Sequence, residues 1–175
     1  SLPILRNNRI KHFSIITMPG SGAESSKACV INIQDKKYFF ISDNFVPDHI
    51  IYDHTTIRNV GLLKQFYQIT DAFTHGVESL VSPLKSPLSI DYSISAISSV
   101  HTLFKEYYKS RDKGSVFLKN IDKYSLASFY GGAAQSNAGT GLAHALAHSL
   151  EKNISLSHGE AISFSSYIAY QHNNL

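Results

Sequence analysis

Asp71 and His75 stand four residues apart, and His144 and His148 repeat that spacing; His158 follows after the break Ser155–Ser157. On a helix, positions i and i+4 share one face. Each pair therefore projects its side chains together, and a helix, a turn and a new helix start bring His158 back toward His144. A carboxylate and imidazoles are borderline N/O donors suited to a divalent ion such as Fe²⁺ or Zn²⁺. Three histidines and one carboxylate leave a coordination position for a substrate oxygen, toward which the ion is a Lewis acid. Neither HExxH nor CxxC occurs, so the common zinc motifs do not account for the pattern. His12, His49, His54, His101 and His172 show no comparable pairing and are read as surface or loop residues.

These side chains need a folded scaffold, and the composition allows one. The chain has 175 residues, enough for a domain with a real core, and its 43% hydrophobic and 17% charged content excludes a disordered chain. The net charge of +3 is spread out. The densest basic stretch, Lys105, Lys109, Arg111 and Lys113, is interleaved with Glu106 and Asp112 and reads as a solvated helix end. No nucleic-acid partner is expected. The one cysteine, Cys29, rules out an internal disulfide and fits a reducing, cytoplasmic location. Within the apolar run Ala28–Ile33 it reads as a small core residue. No apolar run approaches the roughly 18 residues of a membrane span, and the first residues form no signal peptide. Met18 is the only methionine, and the expectation is that the chain begins inside a longer protein.

The elements that position the donors change character near residue 60. Before it, short strands are expected at His12–Thr17, Ala28–Ile33, Tyr38–Ser42 and Ile50–Tyr52, with a turn at Met18–Gly22 and a hairpin turn over 34–37. After it, Leu62, Phe66, Ile69, Phe73, Val77 and Leu80 recur at helical spacing, ended by Ser82-Pro83. Further helices are expected over Ser89 to about Tyr108, from a cap at Asp122 or Ser125 through Phe129, over Leu142–Glu151 and over about Glu160–Tyr170. Gly131-Gly132-Ala133-Ala134 would admit a close neighbour. The fold class is thus mainly α: a helical-bundle metal-binding domain (61–175) preceded by the strand-rich end of an α/β nucleotide-binding domain (1–60).

Four blocks, in order, resemble the iron-containing (group III) alcohol dehydrogenases of the dehydroquinate-synthase-like fold. They are Thr17-Met18-Pro19-Gly20-Ser21-Gly22-Ala23-Glu24; Phe45-Val46-Pro47-Asp48-His49-Ile50-Ile51-Tyr52-Asp53; Thr70-Asp71-Ala72-Phe73-Thr74-His75-Gly76-Val77-Glu78; and Asn137 to His148 followed by Ser157-His158-Gly159-Glu160-Ala161. The resemblance covers nearly the whole chain, and the last block is its most specific part. It implies metal ligands Asp71, His75, His144 and His158, with His148 beside the metal, near substrate and nicotinamide, where an imidazole can relay the alcohol proton. It implies cofactor contacts from Thr17, Ser21, Ser26 and Lys37, with Lys36 a rival for the last. A Gly-rich turn that exposes backbone N–H groups and small hydroxyls agrees with that role. The implied activity is interconversion of an alcohol and an aldehyde or ketone with NAD or NADP, by an enzyme that is a homodimer at full length.

Two departures qualify the resemblance. Met18 replaces a hydroxyl-bearing residue of the cofactor loop. The family's Gly-Gly-Gly-Ser pyrophosphate turn does not occur, and the chain stops at Leu175, before the family's last helices. The expectation is a central part of such an enzyme, with weak cofactor binding by this chain alone. Two alternatives stand beside it: a sugar-phosphate cyclase of the dehydroquinate synthase type, which the Asp71/His75 pair disfavours, and a metal-binding piece without turnover.

Overall fold

The computed structural model describes residues 10–34, 36–57 and 60–173. Four strands come first: β1 (Phe13–Ile16), β2 (Ala28–Ile33), β3 (Lys36–Ile41) and β4 (His49–Tyr52). β1 and β4 pair in parallel, with Phe13 opposite His49 and Ile16 opposite Tyr52. A parallel pair needs a long crossover between its strands, and here the glycine loop and the β2–β3 hairpin fill it. β2 and β3 pair antiparallel, with Ile33 opposite Lys36. The turn expected over 34–37 is therefore tighter than its four residues: Gln34 takes a left-handed conformation (φ 48°), Lys36 already belongs to the strand, and Asp35 lies outside the described residues. The hairpin is largely solvent-facing, so Cys29 is half-buried there and is not the core residue its apolar neighbours implied.

Seven helices follow among the described residues: α1 (His54–Ile57), α2 (Leu62–Val81), α3 (Pro87–Lys109), α4 (Lys113–Lys119), α5 (Ile121–Ala138), α6 (Leu142–Asn153) and α7 (His158–Asn173). The architecture is a helical bundle preceded by a strand-rich segment, as the change of period indicated. Ser86 caps α3 through a capping box with Ser89, and Pro87 opens it. α1 and α4 went unread because four and seven residues are too short to show a period. Asp112 caps α4 by accepting from the Ser115 N–H. α4 runs directly into α5 at Asn120, whose N–H bonds back to Val116 and whose carbonyl accepts from Tyr124. Neither Asp122 nor Ser125 is needed as the cap of α5, and Asp122 instead faces His54.

α2 is the central helix. It packs against α3 and α5 on one side and α7 on the other, and touches α6. Ile69 sits with Val100, Leu103, Phe117, Ile121, Tyr124 and Ala127 in the main apolar cluster. The opposite side of α2 is also buried, and there the side chains are polar: Asp71, Thr74, His75 and Glu78. A single apolar stripe does not describe such a helix. A second, smaller cluster of Ala147, Ala161 and Ile162 joins α6 to α7.

Candidate metal centre

Three helices deliver the donors to one point. α2 supplies Asp71 and His75, α6 supplies His144, and His158 is the first residue of α7. The Nε2 atoms of His144, His75 and His158 lie 3.4, 3.7 and 3.8 Å from Asp71 Oδ1. The His75 and His144 rings stack at 4.5 Å. Donor atoms of Asp71, His144 and His158 all fall within 4.8 Å of one another, with His75 set slightly back. Asp71 is 1% exposed, and neither of its carboxylate oxygens has a hydrogen-bond partner; His144 Nε2 has none either. A buried carboxylate without a partner is strongly disfavoured. A divalent cation among these four side chains would satisfy the Asp71 carboxylate and His144 Nε2 at once, so the donor set fits a metal.

The electrostatics point the same way. Burial alone would raise the Asp71 carboxyl, but the positive charges of His75, His144 and His158 around it hold it well below the usual carboxylate range. Burial would lower His144, yet Asp71 and Glu78 on its two nitrogens push it up to about 9. His75 is pulled down to about 4, first by burial and then by neighbouring imidazoles against the pull of Asp71. The pocket thus favours one positive charge beside Asp71, the place a bound cation takes.

Glu78, on the next turn of α2 after His75, fixes His144. Its carboxylate accepts the Gly141 N–H (2.8 Å) and the Ala143 N–H (2.6 Å), and lies 2.6 Å from His144 Nδ1. The N-cap of α6, Gly141, has no side chain to offer, so Glu78 caps that helix from across the bundle. With Nδ1–H held by Glu78, Nε2 is the nitrogen turned toward Asp71, the one that would bind an ion in place of its proton. Sequence reasoning gave Glu78 no role, although its place three residues after His75 in the matching block was the available signal.

His148 lies one turn beyond His144 and is half-buried. Its ring stacks on His158 at 5.6 Å and meets Phe39 edge-on at 5.2 Å, and its Nδ1 has no partner. Glu151, another residue not singled out from sequence, accepts from His158 Nδ1 (2.5 Å) and forms an ion pair with Lys37.

A model of the C-terminal region of the iron-containing alcohol dehydrogenase family matches residues 67–174. The chain belongs to the iron-containing alcohol dehydrogenases. The match runs from α2, with its Asp71/His75 pair, through α7. The chain is 32% identical over 150 residues to a 1-propanol dehydrogenase of Salmonella typhimurium, covering 85% of this chain and 40% of that protein. It is 27% identical over 165 residues to a 4-hydroxybutyrate dehydrogenase of Clostridium kluyveri, covering 91% and 43%. An iron-containing alcohol dehydrogenase structure from Thermococcus thioreducens superposes with a TM-score of 0.75 at 25% identity, over 86% of this chain and 38% of that one. The chain therefore spans about two fifths of the length of the curated relatives it matches.

Of the four residues expected from the sequence resemblance to touch a cofactor, the structure brings two to one place. Thr17 and Ser21 line a groove of about 450 Å³ beside β1, together with Ser14, Met18, Cys29 and Asn44. Ser26 is 1% exposed, and its hydroxyl accepts from the Ala28 N–H and the Gln135 side-chain amide, so it is a structural residue away from the groove. Lys37 is at the metal centre's edge, paired with Glu151. The side chain of Lys36 lies outside the described residues. The loop that carries Ser21 is pinned by Ser128 of α5, whose hydroxyl accepts the Gly20 and Gly22 N–H groups and donates to buried Glu24. Tyr52 donates to the same carboxylate. The other five histidines are exposed. Among the described residues, no helix is long and apolar enough to cross a membrane.

Proposed function

We propose that this chain supplies the metal centre and part of the cofactor surface of an NAD(P)-dependent alcohol dehydrogenase that interconverts an alcohol with an aldehyde or ketone. The observation that carries the reading is the convergence of three imidazole Nε2 atoms on the unpartnered, buried carboxylate of Asp71. Asp71, His75, His144 and His158 would hold Fe²⁺ or Zn²⁺. When bound, the ion supplies Lewis acidity toward the substrate oxygen and the nicotinamide supplies hydride exchange.

The chain's own residues do the rest. Asp71 offsets part of the ion's charge, and Glu78 aims His144. Ala147, Ala161 and Ile162 pack α6 against α7 and so fix His144 relative to His158. His148 is an uncharged imidazole at neutral pH: burial, then the charges of His158 and Lys37, pull it down to about 4. Its free Nδ1 and its place against His158 suit it to pass the alcohol proton onward rather than to bind metal. The hydroxyls of Thr17 and Ser21 offer hydrogen bonds to cofactor oxygens in the groove. The relatives' names, a 1-propanol and a 4-hydroxybutyrate dehydrogenase, support a primary alcohol as the substrate class.

Metal analysis of two variants tests the reading. His144→Ala is expected to lose tightly bound metal, while His101→Ala, on the exposed face of α3, keeps it. Equal metal content in the two variants would sink the assignment.

A further inference from the structure

Both outer ligands of the bundle have a carboxylate behind them, but only one of these carboxylates belongs to α2. Glu78 stands behind His144. Behind His158 stands Glu151, on the last turn of α6, seven residues earlier in the chain. Its side chain is 8% exposed, so its charge needs partners. Oε1 lies 2.5 Å from His158 Nδ1, and Oε2 is paired with the Lys37 ammonium on β3. His148 Nδ1 is 3.8 Å from the same oxygen, too far for a hydrogen bond.

We infer that Glu151 is the positioning residue for His158, with Lys37 of the hairpin holding Glu151 in place. His158 needs such a restraint. It is the first residue of α7, at the end of an irregular connection, and its side chain is 36% exposed, against 4% for His144. With Nδ1–H donated to Glu151, the ring keeps Nε2 deprotonated and turned toward Asp71, which is the form and orientation a ligand must have. Lys37 supplies the cation that pairs with the buried Glu151 carboxylate. It also ties the β2–β3 hairpin, through Lys37 and Phe39, to the α6–α7 connection. His148, Glu151 and His158 also present donor atoms within 4.8 Å of one another. A second cation there would have to displace both the Lys37 ammonium and the His158 Nδ1 proton from Glu151.

This inference rests on the proposed metal centre, and zinc, a redox-silent probe, separates the two. Zn²⁺ affinity is measured by chelator competition on the wild-type protein, Glu151→Ala and Glu151→Gln, alongside the melting temperature of each metal-free protein. The wild type is expected to bind one equivalent. Glu151→Ala should bind about 10- to 100-fold more weakly, the range for loss of an outer carboxylate. Glu151→Gln, which keeps an acceptor for Nδ1–H, should retain more affinity, and the metal-free melting temperatures should match. In the zinc-loaded wild type, the His158 Nδ1 proton should be visible by NMR and slow to exchange, and it should vanish in Glu151→Ala. Wild-type affinity in Glu151→Ala overturns the inference. So does a loss accompanied by an equal fall in metal-free stability, which would make Glu151 a support of α6. A second zinc equivalent lost in Glu151→Ala also overturns it. No zinc binding by the wild type would instead refute the metal centre itself.

Discussion

One turn of α6 separates two histidines that the account gives different work. His144 is buried between Asp71 and Glu78, with Nδ1 bonded to Glu78 and Nε2 facing Asp71. His148 is half-buried, has a free Nδ1, and touches His158 only ring to ring. His148→Ala should therefore keep its metal and lose rate, by roughly 10²- to 10⁴-fold as is typical for acid–base groups. Metal content and turnover of that variant, measured together in the full-length enzyme, check this: lost metal would make His148 a ligand, and unchanged turnover would make it a packing residue. At this scale much of the site was legible. The four-residue spacings placed Asp71 with His75 and His144 with His148, as helical geometry dictates, and the break before His158 was what let that residue return toward His144. Glu78, Glu151 and Ser128 were not legible in the same way. Their roles depend on contacts across 66, 7 and 104 positions or more, which no local period encodes. Ser26 shows the converse: resemblance to a contact residue does not reveal that its hydroxyl already accepts two hydrogen bonds inside the fold.

Among the elements, the five longer helices stand close to where their periodicity put them, while the short α1 and α4 showed no period. Two features of these helices are set by distant residues. Glu78 caps α6, so Glu78→Ala should both loosen that helix and release His144. Loss of a buried charge-assisted set costs on the order of 1–3 kcal/mol, and metal affinity should fall about 10- to 100-fold. Denaturant melts and zinc titrations would read the two effects separately, and a variant with wild-type values in each would show that α6 caps itself. The second case is the contact of the glycine loop with α5. Gly22 has φ 64°, and a Cβ on Gly132 would lie 2.1 Å from the Gly22 carbonyl oxygen. The backbones touch, and that contact holds Thr17 and Ser21 at the groove. Gly132→Ala should destabilise by roughly 1–3 kcal/mol through overpacking, lowering Tm by about 2–4 °C for each kcal/mol. An unchanged melting temperature would mean that the loop yields freely. The glycine-rich stretch of α5 was readable as a close-approach surface, but its two neighbours, Ala72 of α2 and the loop at Gly22, emerge only from the tertiary arrangement.

For the molecule as a whole, the proposed metal ligands join helices that the apolar cores join less completely. α2 packs on the large cluster with α3 and α5, while α6 and α7 share a separate, smaller one. Asp71 and His75 lie on the first body, His144 and His158 on the second, so an ion would cross-link the two. Binding only the folded form, Zn²⁺ at a hundredfold excess over its Kd should add about 2.7 kcal/mol, a rise in Tm of roughly 5–10 °C for a chain of this size. Asp71→Asn should abolish that rise. The most direct test is an anomalous-difference map from crystals of the protein loaded with iron or zinc. The account predicts one strong peak within about 2.0–2.2 Å of Asp71, His75, His144 and His158 side-chain donors. A peak centred instead on His148, Glu151 and His158, or no ordered peak in fully loaded crystals, would contradict it.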